Sequence, residues 1–244
     1  MATFRLWLCT LLLILLSGPS LAQPDFSFST AKKHLERSIY KEVSERTSFY
    51  CGCSYSDEKQ VDAASCGYEP RKNAKRGSRI EWEHIVPASR FGKDRVCWSE
   101  GHEACVTSKG KTYKGRRCCG KVDDEFRAME ADLHNLVPAV GELNGDRSNF
   151  RISSLEGEPR AYGACDFEID FTAKVMEPQE GIRGDIARAY LYMNATYNMP
   201  LTDEERDMYL NWNEMDPPSD WELERNQRIL FIQNNANPLI APAS

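Results

Sequence analysis

No stretch of this chain stays apolar long enough to cross a bilayer: the one early run, Leu11 to Leu16, falls far short of the roughly 20 residues that a spanning helix needs. There is no internal repeat, low-complexity tract or Pro/Gly/Ser-rich linker, so nothing divides the chain into separate domains. The paired C-x2-C spacing of structural zinc sites is missing, and so is the two-histidine H-E-x-x-H arrangement of zinc proteases, which argues against both classes. Positive charge is in deficit. Lys and Arg number 31 against 37 Asp and Glu, a net charge of −6, and taken alone this balance argues against a polyanionic partner.

What is present begins with an export signature. Met1 to Ala22 carries one early cation, Arg5, then the apolar run, then the small-residue site Ser20-Leu21-Ala22. Residues 1–22 therefore read as a cleaved secretory leader and 23–244 as one mature, soluble domain. Cleavage removes Cys9 and leaves Cys51, Cys53, Cys66, Cys97, Cys105, Cys118, Cys119 and Cys165, an even set that predicts four disulfides in an exported chain. The fold class expected is α+β, with a mixed, loop-rich N-terminal half and a helix-rich C-terminal part. There Ile182, Ile186, Tyr190, Met193 and Tyr197 recur every three or four residues, and Thr202 with Glu205 and Ser219 with Glu222 read as capping boxes opening two further helices. Trp212 and Trp221 are expected to pack in the core.

Two segments carry chemistry. EWEHIVPAS (Glu81 to Ser89) places a carboxylate, Glu83, beside an imidazole, His84, and DLHNLVPAVGELNGDRSN (Asp132 to Asn149) adds acids and side-chain amides. Magnesium is a hard cation that takes only one or two protein oxygens and keeps its waters, whereas a neutral imidazole can take a proton from water. Oxygen would hold the metal and nitrogen would activate the nucleophile. Successive side chains of a strand point to opposite faces, so Glu83 and His84 can share a site only where the strand twists, bulges or ends; Pro87 suggests an end. Pro138 is placed near the first turn of a short helix, with Val140 and Leu143 as its apolar contacts and Gly145 near its end. Spacing alone does not choose among Asn135, Asn144 and Asp146 as a second ligand. His134, Glu81 and Asp146 read as structural.

Both segments, together with YCGC (Tyr50 to Cys53), SCGY (Ser65 to Tyr68) and DWELER (Asp220 to Arg225), closely resemble the bacterial endonuclease I family of periplasmic and secreted nonspecific nucleases. The resemblance covers nearly all of the mature chain. It implies a ββα-metal motif, His84 as general base, and Glu83 with Asn144 as ligands of Mg2+, for which Mn2+ or Ca2+ could substitute. It also implies a monomer that meets DNA and RNA through the phosphate backbone and leaves 5′-phosphate and 3′-hydroxyl ends. By resemblance Cys53 pairs with Cys66, Cys51 with Cys165 and Cys97 with Cys105; Cys118 and Cys119 would then form a vicinal bridge or exchange partners with Cys97 and Cys105.

Charge is compatible with such a partner locally: Tyr68 to Arg127 holds 15 basic and 9 acidic residues, concentrated at Arg71 to Arg79 and Lys109 to Lys121. One departure stands out. Relatives place a phosphate-binding arginine between the two cysteines after the EWEH strand, where this chain has only Ser99 to Ala104 (SEGHEA). Arg116 or Arg117, in the insertion that follows, is the expected replacement, with His102 the weaker candidate. The alternative is a nucleic-acid-binding or host-interacting protein with impaired catalysis.

Overall fold

The computed structural model describes residues 26–157 and 160–241, so the leader expected at 1–22 lies outside the described residues. The chain opens with helix α1 (Phe28–His34), capped by Ser27, whose hydroxyl accepts from the Thr30 amide, and continued by a wider turn over Leu35–Ile39. Short helix α2 (Ala74–Gly77) leads into strand β1 (Ile80–His84). Helices α3 (Ala88–Gly92), α4 (Val96–Ser99), α5 (Arg116–Val122) and α6 (Asp124–Ala131) follow. Strand β2 (Leu136–Val140) then returns antiparallel to β1, with Trp82 opposite Pro138 and His84 opposite Leu136, and runs directly into α7 (Gly141–Arg147).

Strand β3 (Arg151–Ile152) lies parallel to β5 (Val175–Pro178), which pairs on its other side with β4 (Phe167–Asp170). Three long helices complete the described chain: α8 (Arg183–Tyr197), α9 (Asp203–Met215) and α10 (Asp220–Gln233). Both predicted capping boxes are formed, Thr202 with Glu205 and Ser219 with Glu222. Asn198 and Asn234 end α8 and α10 in the left-handed conformation that asparagine tolerates better than most residues. The apolar period from Ile186 to Tyr197 belongs to α8, with Ile182 in the turn just before it, and α8 packs chiefly against α9. Among the described residues no helix is long and apolar enough to cross a membrane.

Pro138 overturns one expectation. It stands in the middle of β2 rather than in a helix, and the helix begins three residues later at Gly141. The physical reason is that its carbonyl accepts from the Phe49 amide at 2.7 Å, on the edge away from β1. In an antiparallel strand a residue's nitrogen and carbonyl point the same way, so the missing N–H falls on that outer edge and no bond to β1 is lost.

Every residue of β2 is buried, because the β1–β2 pair separates two apolar cores. Val137, Ala139 and Val140 join the larger core with Leu143 of α7 and the apolar face of α8. Leu136 joins the smaller one with Ala31, Leu35, Ile39, Leu133 and Ile229, against which Trp82 and Trp221 are partly buried. Trp212 is buried in the larger core, so both tryptophans pack as expected.

Four disulfides are formed, and two match the pairing that the resemblance implied, Cys51–Cys165 and Cys53–Cys66. The other two replace Cys97–Cys105 with the exchanged alternative: Cys97 bonds Cys119 and Cys105 bonds Cys118. Cys118 and Cys119 are neighbours on α5, where successive side chains diverge by about 100° around the axis. Each therefore reaches a different partner, and the two bridges together fasten the insertion to α4 and the loop after it.

Candidate active site

β1 ends at His84, and the ends of its two faces are furnished differently. On one face Glu83 is buried: its Oε1 accepts from the Tyr50 hydroxyl at 3.0 Å and lies 3.2 Å from the Arg147 guanidinium of α7. Burial pushes the Glu83 carboxyl up to about 7, against the opposing pull of Arg147 and Tyr50. Arg147 is itself only 1% exposed and donates to the backbone carbonyls of His84, at 3.0 Å, and Ile85. One guanidinium thus holds the Glu83 carboxyl and the His84 backbone together at the end of the strand.

His84 turns to the other face. Its ring lies 4.8 Å from that of Phe28 on α1, and its Nε2 is 2.8 Å from the Glu130 carbonyl at the end of α6. A carbonyl only accepts, so Nε2 carries the proton and Nδ1 keeps the lone pair. Burial, reinforced by the nearby Arg116 charge, holds the imidazole down to about 3, so it is neutral at physiological pH.

Asn144 sits on α7 and faces β1, but its amide nitrogen donates to Glu81, at 3.1 Å, rather than to Glu83. Glu81 is the hub of this side: it also accepts paired hydrogen bonds from Arg76, at 2.9 and 2.6 Å, and from Arg79, at 3.2 and 2.8 Å. Burial raises its carboxyl, yet the two guanidinium groups prevail and hold it below its ordinary range. Gly145 is a packing requirement, since a Cβ there would stand 2.0 Å from Arg76 Nη1. Glu142 accepts from the Tyr68 hydroxyl and from the successive backbone amides of Arg71, Lys72 and Asn73, and Asp146 pairs with Arg71 at 2.9 Å. The basic segment Arg71 to Arg79 is therefore tied down along α7, with its arginines largely matched by carboxylates.

The insertion reaches the opposite face. Arg116, at the start of α5, donates through Nε to the Glu130 carboxylate and lies 5.2 Å from the centre of the Phe28 ring. Arg117 instead rests over Tyr113, at 4.3 Å, and His102 accepts the Ala104 amide of its own loop. Of the three arginine substitutes considered, only Arg116 shares the surroundings of His84. Among the described residues no three His, Cys, Asp or Glu side chains converge as a metal cluster.

The family description for endonuclease I matches residues 27–243. The chain belongs to the endonuclease I family. It is 45% identical over 241 residues, 97% of each chain, to an extracellular deoxyribonuclease of Aeromonas hydrophila. It is 44% identical to that organism's periplasmic deoxyribonuclease, covering 94% of this chain and 91% of the relative. An endonuclease-1 of Buchnera aphidicola is also 44% identical, over 79% of this chain and 73% of its own.

Within this endonuclease I framework the remaining motif residues bond to backbone and to neighbouring elements. Asn135 pairs both amide groups with the backbone of Val86, at 2.7 and 3.0 Å, and so carries the hairpin contact one step past the strand end. Asp132 accepts from the Tyr192 and Tyr197 hydroxyls, from Gln233 and from the His134 amide. His134 is buried, with Nε2 3.3 Å from the Asn235 carbonyl. In DWELER, Glu222 forms a two-bond pair with buried Arg188, and Arg225 donates to the carbonyls of Leu133 and Leu136 beneath β2. Sequence reading missed Arg147, Tyr50, Glu130 and Phe28. The first could have been suspected from the Asp146-Arg147 dipeptide at the end of α7, and Tyr50 from its place at the head of YCGC; Phe28 and Glu130 carry no local signal, since each meets the strand end from a distant element.

Proposed function

We propose that this chain is an exported endonuclease that hydrolyses phosphodiester bonds of DNA and RNA with little sequence preference. His84 acts as general base, and a magnesium ion is held by Glu83 and Asn144 in a ββα-metal motif made of β1, β2 and α7. The observation that carries this reading is the setting of His84: a neutral imidazole, its Nε2 proton donated to the Glu130 carbonyl, ends the strand next in sequence to Glu83 with Arg116 close by. Names of the relatives, extracellular and periplasmic deoxyribonuclease, support export and DNA as substrate, and with export the cleaved leader at residues 1–22.

The residues present suit magnesium. The Tyr50 and Arg147 contacts to Glu83 fall on Oε1, and Asn144 donates through its nitrogen to Glu81; Glu83 Oε2 and Asn144 Oδ1 are the oxygens we assign to the ion. When bound, the ion would polarise the phosphate and stabilise the leaving 3′ oxygen, giving 5′-phosphate and 3′-hydroxyl ends. His84 takes a proton from the attacking water through Nδ1, while Glu130 holds the ring in that tautomer. Arg116 binds the scissile phosphate through its planar fork, in place of the arginine missing from Ser99 to Ala104. Phosphate, like the Glu130 carboxylate, then offsets the Arg116 charge beside His84, which raises the basicity of the imidazole. Contacts to phosphate rather than to bases account for the lack of sequence preference. The rival reading of impaired catalysis rests on the missing arginine, and the position of Arg116 beside Phe28 and Glu130 weighs against it.

The deciding test is plasmid hydrolysis by wild type and His84→Ala, in magnesium and then in EDTA, with folding checked by circular dichroism. Wild type should cleave only with metal, and the folded variant should be slower by about 10²–10⁴-fold, the usual worth of a general base. Near wild-type cleavage by folded His84→Ala would overturn the assignment.

A further inference from the structure

Apart from the strand end, one exposed aromatic is held rigidly in a place where neither core uses it. The turn between β4 and β5, Phe171 to Lys174, is fixed by Asp170, whose Oδ1 accepts from the amides of Thr172 and Ala173 at 2.7 and 2.8 Å. At its start Phe171 is 44% exposed and belongs to neither apolar core. Its ring is nevertheless located: the Arg71 guanidinium lies 4.4 Å from its centre, and Phe150 meets it edge-on at 6.1 Å. Arg71 is fixed in turn by Asp146 at 2.9 Å, and Asp146 accepts the Tyr162 hydroxyl at 2.7 Å. Asp146 is two residues from Asn144 on α7, so the ring is connected to the candidate active site by one short chain of contacts.

A lone exposed phenyl group is unremarkable on a protein surface. Here the surroundings are selective. Lys72, Arg151 and Lys174 are exposed close to the ring in the chain or in the sheet, and none forms an ion pair with another described residue. Asp170 turns its carboxylate into its own loop, and Arg71 is cation to the ring as well as partner of Asp146. Aromatic faces set among cations are how proteins hold single-stranded nucleic acid, since every base offers a stacking face and every linkage a phosphate.

We propose that Phe171, backed by Arg71 and Phe150, is a stacking platform for an unpaired base of the substrate, on the α7 side of the cleavage centre. The proposal rests on the nuclease reading and adds a preference that phosphate contacts alone do not give. A base in a duplex has both faces covered by its neighbours, so Phe171 strengthens binding of single strands and of frayed or distorted ends. Lys72, Arg151 and Lys174 act on the backbone of either form.

The test is binding in EDTA of a short fluorescent oligothymidylate and of a duplex of the same length to the full mature chain, with plasmid hydrolysis in magnesium measured on the same wild-type preparation. Phe171→Ala should weaken oligothymidylate binding on the order of tenfold, and at least fivefold more than duplex binding, within the range for one base stacked on an aromatic ring. Phe171→Trp should bind the single strand as well as wild type or better, whereas Phe171→Leu should resemble Ala. Phe231→Ala, which removes an 89% exposed ring from α10, should change neither. Lys174→Ala should weaken both forms alike and flatten the salt dependence by about one charge. Equal losses on the two forms for Phe171→Ala, or no loss, would overturn the platform while leaving the nuclease reading intact. Absence of cleavage by wild type in magnesium would instead overturn the reading beneath it.

Discussion

Replacing Arg147 by methionine tests how the end of β1 is held. The side chain is 1% exposed, its guanidinium stands 3.2 Å from Glu83, and it donates to the carbonyls of His84 and Ile85. Methionine approximates the volume of the stem but leaves a buried acid without its counter-charge and two carbonyls without a donor. Breaking a buried pair from one side costs about 3–5 kcal/mol, a large part of the roughly 5–15 kcal/mol that keeps a domain folded. The cost is partly relieved by protonation, because Glu83 already sits at about 7 beside the arginine and rises further without it. Unfolding in urea should therefore be measured at pH 8, with disulfides intact and EDTA present. Glu83→Gln keeps an acceptor for Tyr50 and removes only the charge. If Arg147 and Glu83 are coupled as drawn, the double variant Glu83→Gln/Arg147→Met should cost less than the two single losses combined, by about 1 kcal/mol or more. Additivity within about 0.5 kcal/mol, or a loss below about 1 kcal/mol for Arg147→Met, would refute the reasoning.

Arg116→Ala should lower saturated turnover strongly, with Lys restoring only part of it because it lacks the planar fork, whereas Arg117→Ala should weaken nucleic-acid affinity and its salt dependence only; the reverse order in steady-state kinetics would move the clamp to Arg117. Asn144→Ala should raise the magnesium concentration giving half-maximal cleavage, while Asn135→Ala should mainly lower stability, by about 1–3 kcal/mol for the unpaired Val86 backbone groups; magnesium titration and urea melts separate the two, and a normal metal response in Asn144→Ala counts against its role as ligand. Burial holds the His134 imidazole at about 4, with Asp132 opposing and Arg225 reinforcing it. The unfolded chain therefore binds more protons between that value and the ordinary value near 6.5, and the stability associated with neutral His134 is complete above about pH 6.5 and is lost as pH falls toward 4. Relative to His134→Phe, wild type should lose about 3 kcal/mol between pH 7 and pH 4, and parallel stability curves would exclude the effect.

Legibility in the sequence followed the range of the interactions. The α8 period, the two capping boxes and the burial of Trp212 depend on residues within a few positions or on plain hydrophobicity, and each is found as read. Cysteine count gave four bridges, but the pairing of Cys97 and Cys105 with Cys119 and Cys118 required the helical divergence of two adjacent residues on α5. Pro138 was misplaced because proline at a helix start and proline on a strand edge leave the same local trace; only the Phe49 contact on the outer edge distinguishes them.

At the candidate site the motif letters pointed to Glu83 and His84, and the resemblance selected Asn144 and implied a role for each, yet their environments lie elsewhere in the chain. Tyr50, Arg147, Phe28 and Glu130 approach one strand end from a loop and three helices, and they decide which histidine nitrogen carries the proton and how far Glu83 resists ionisation. By itself the sequence determined family, fold class, cysteine content and the chemical groups available, because those follow from local pattern and composition. The tertiary structure decided partners and protonation, and it brings Arg116 rather than Arg117 into the surroundings of His84. Hydrogen bonding and desolvation act over a few ångströms, and only the folded chain brings residues so far apart in sequence within that distance.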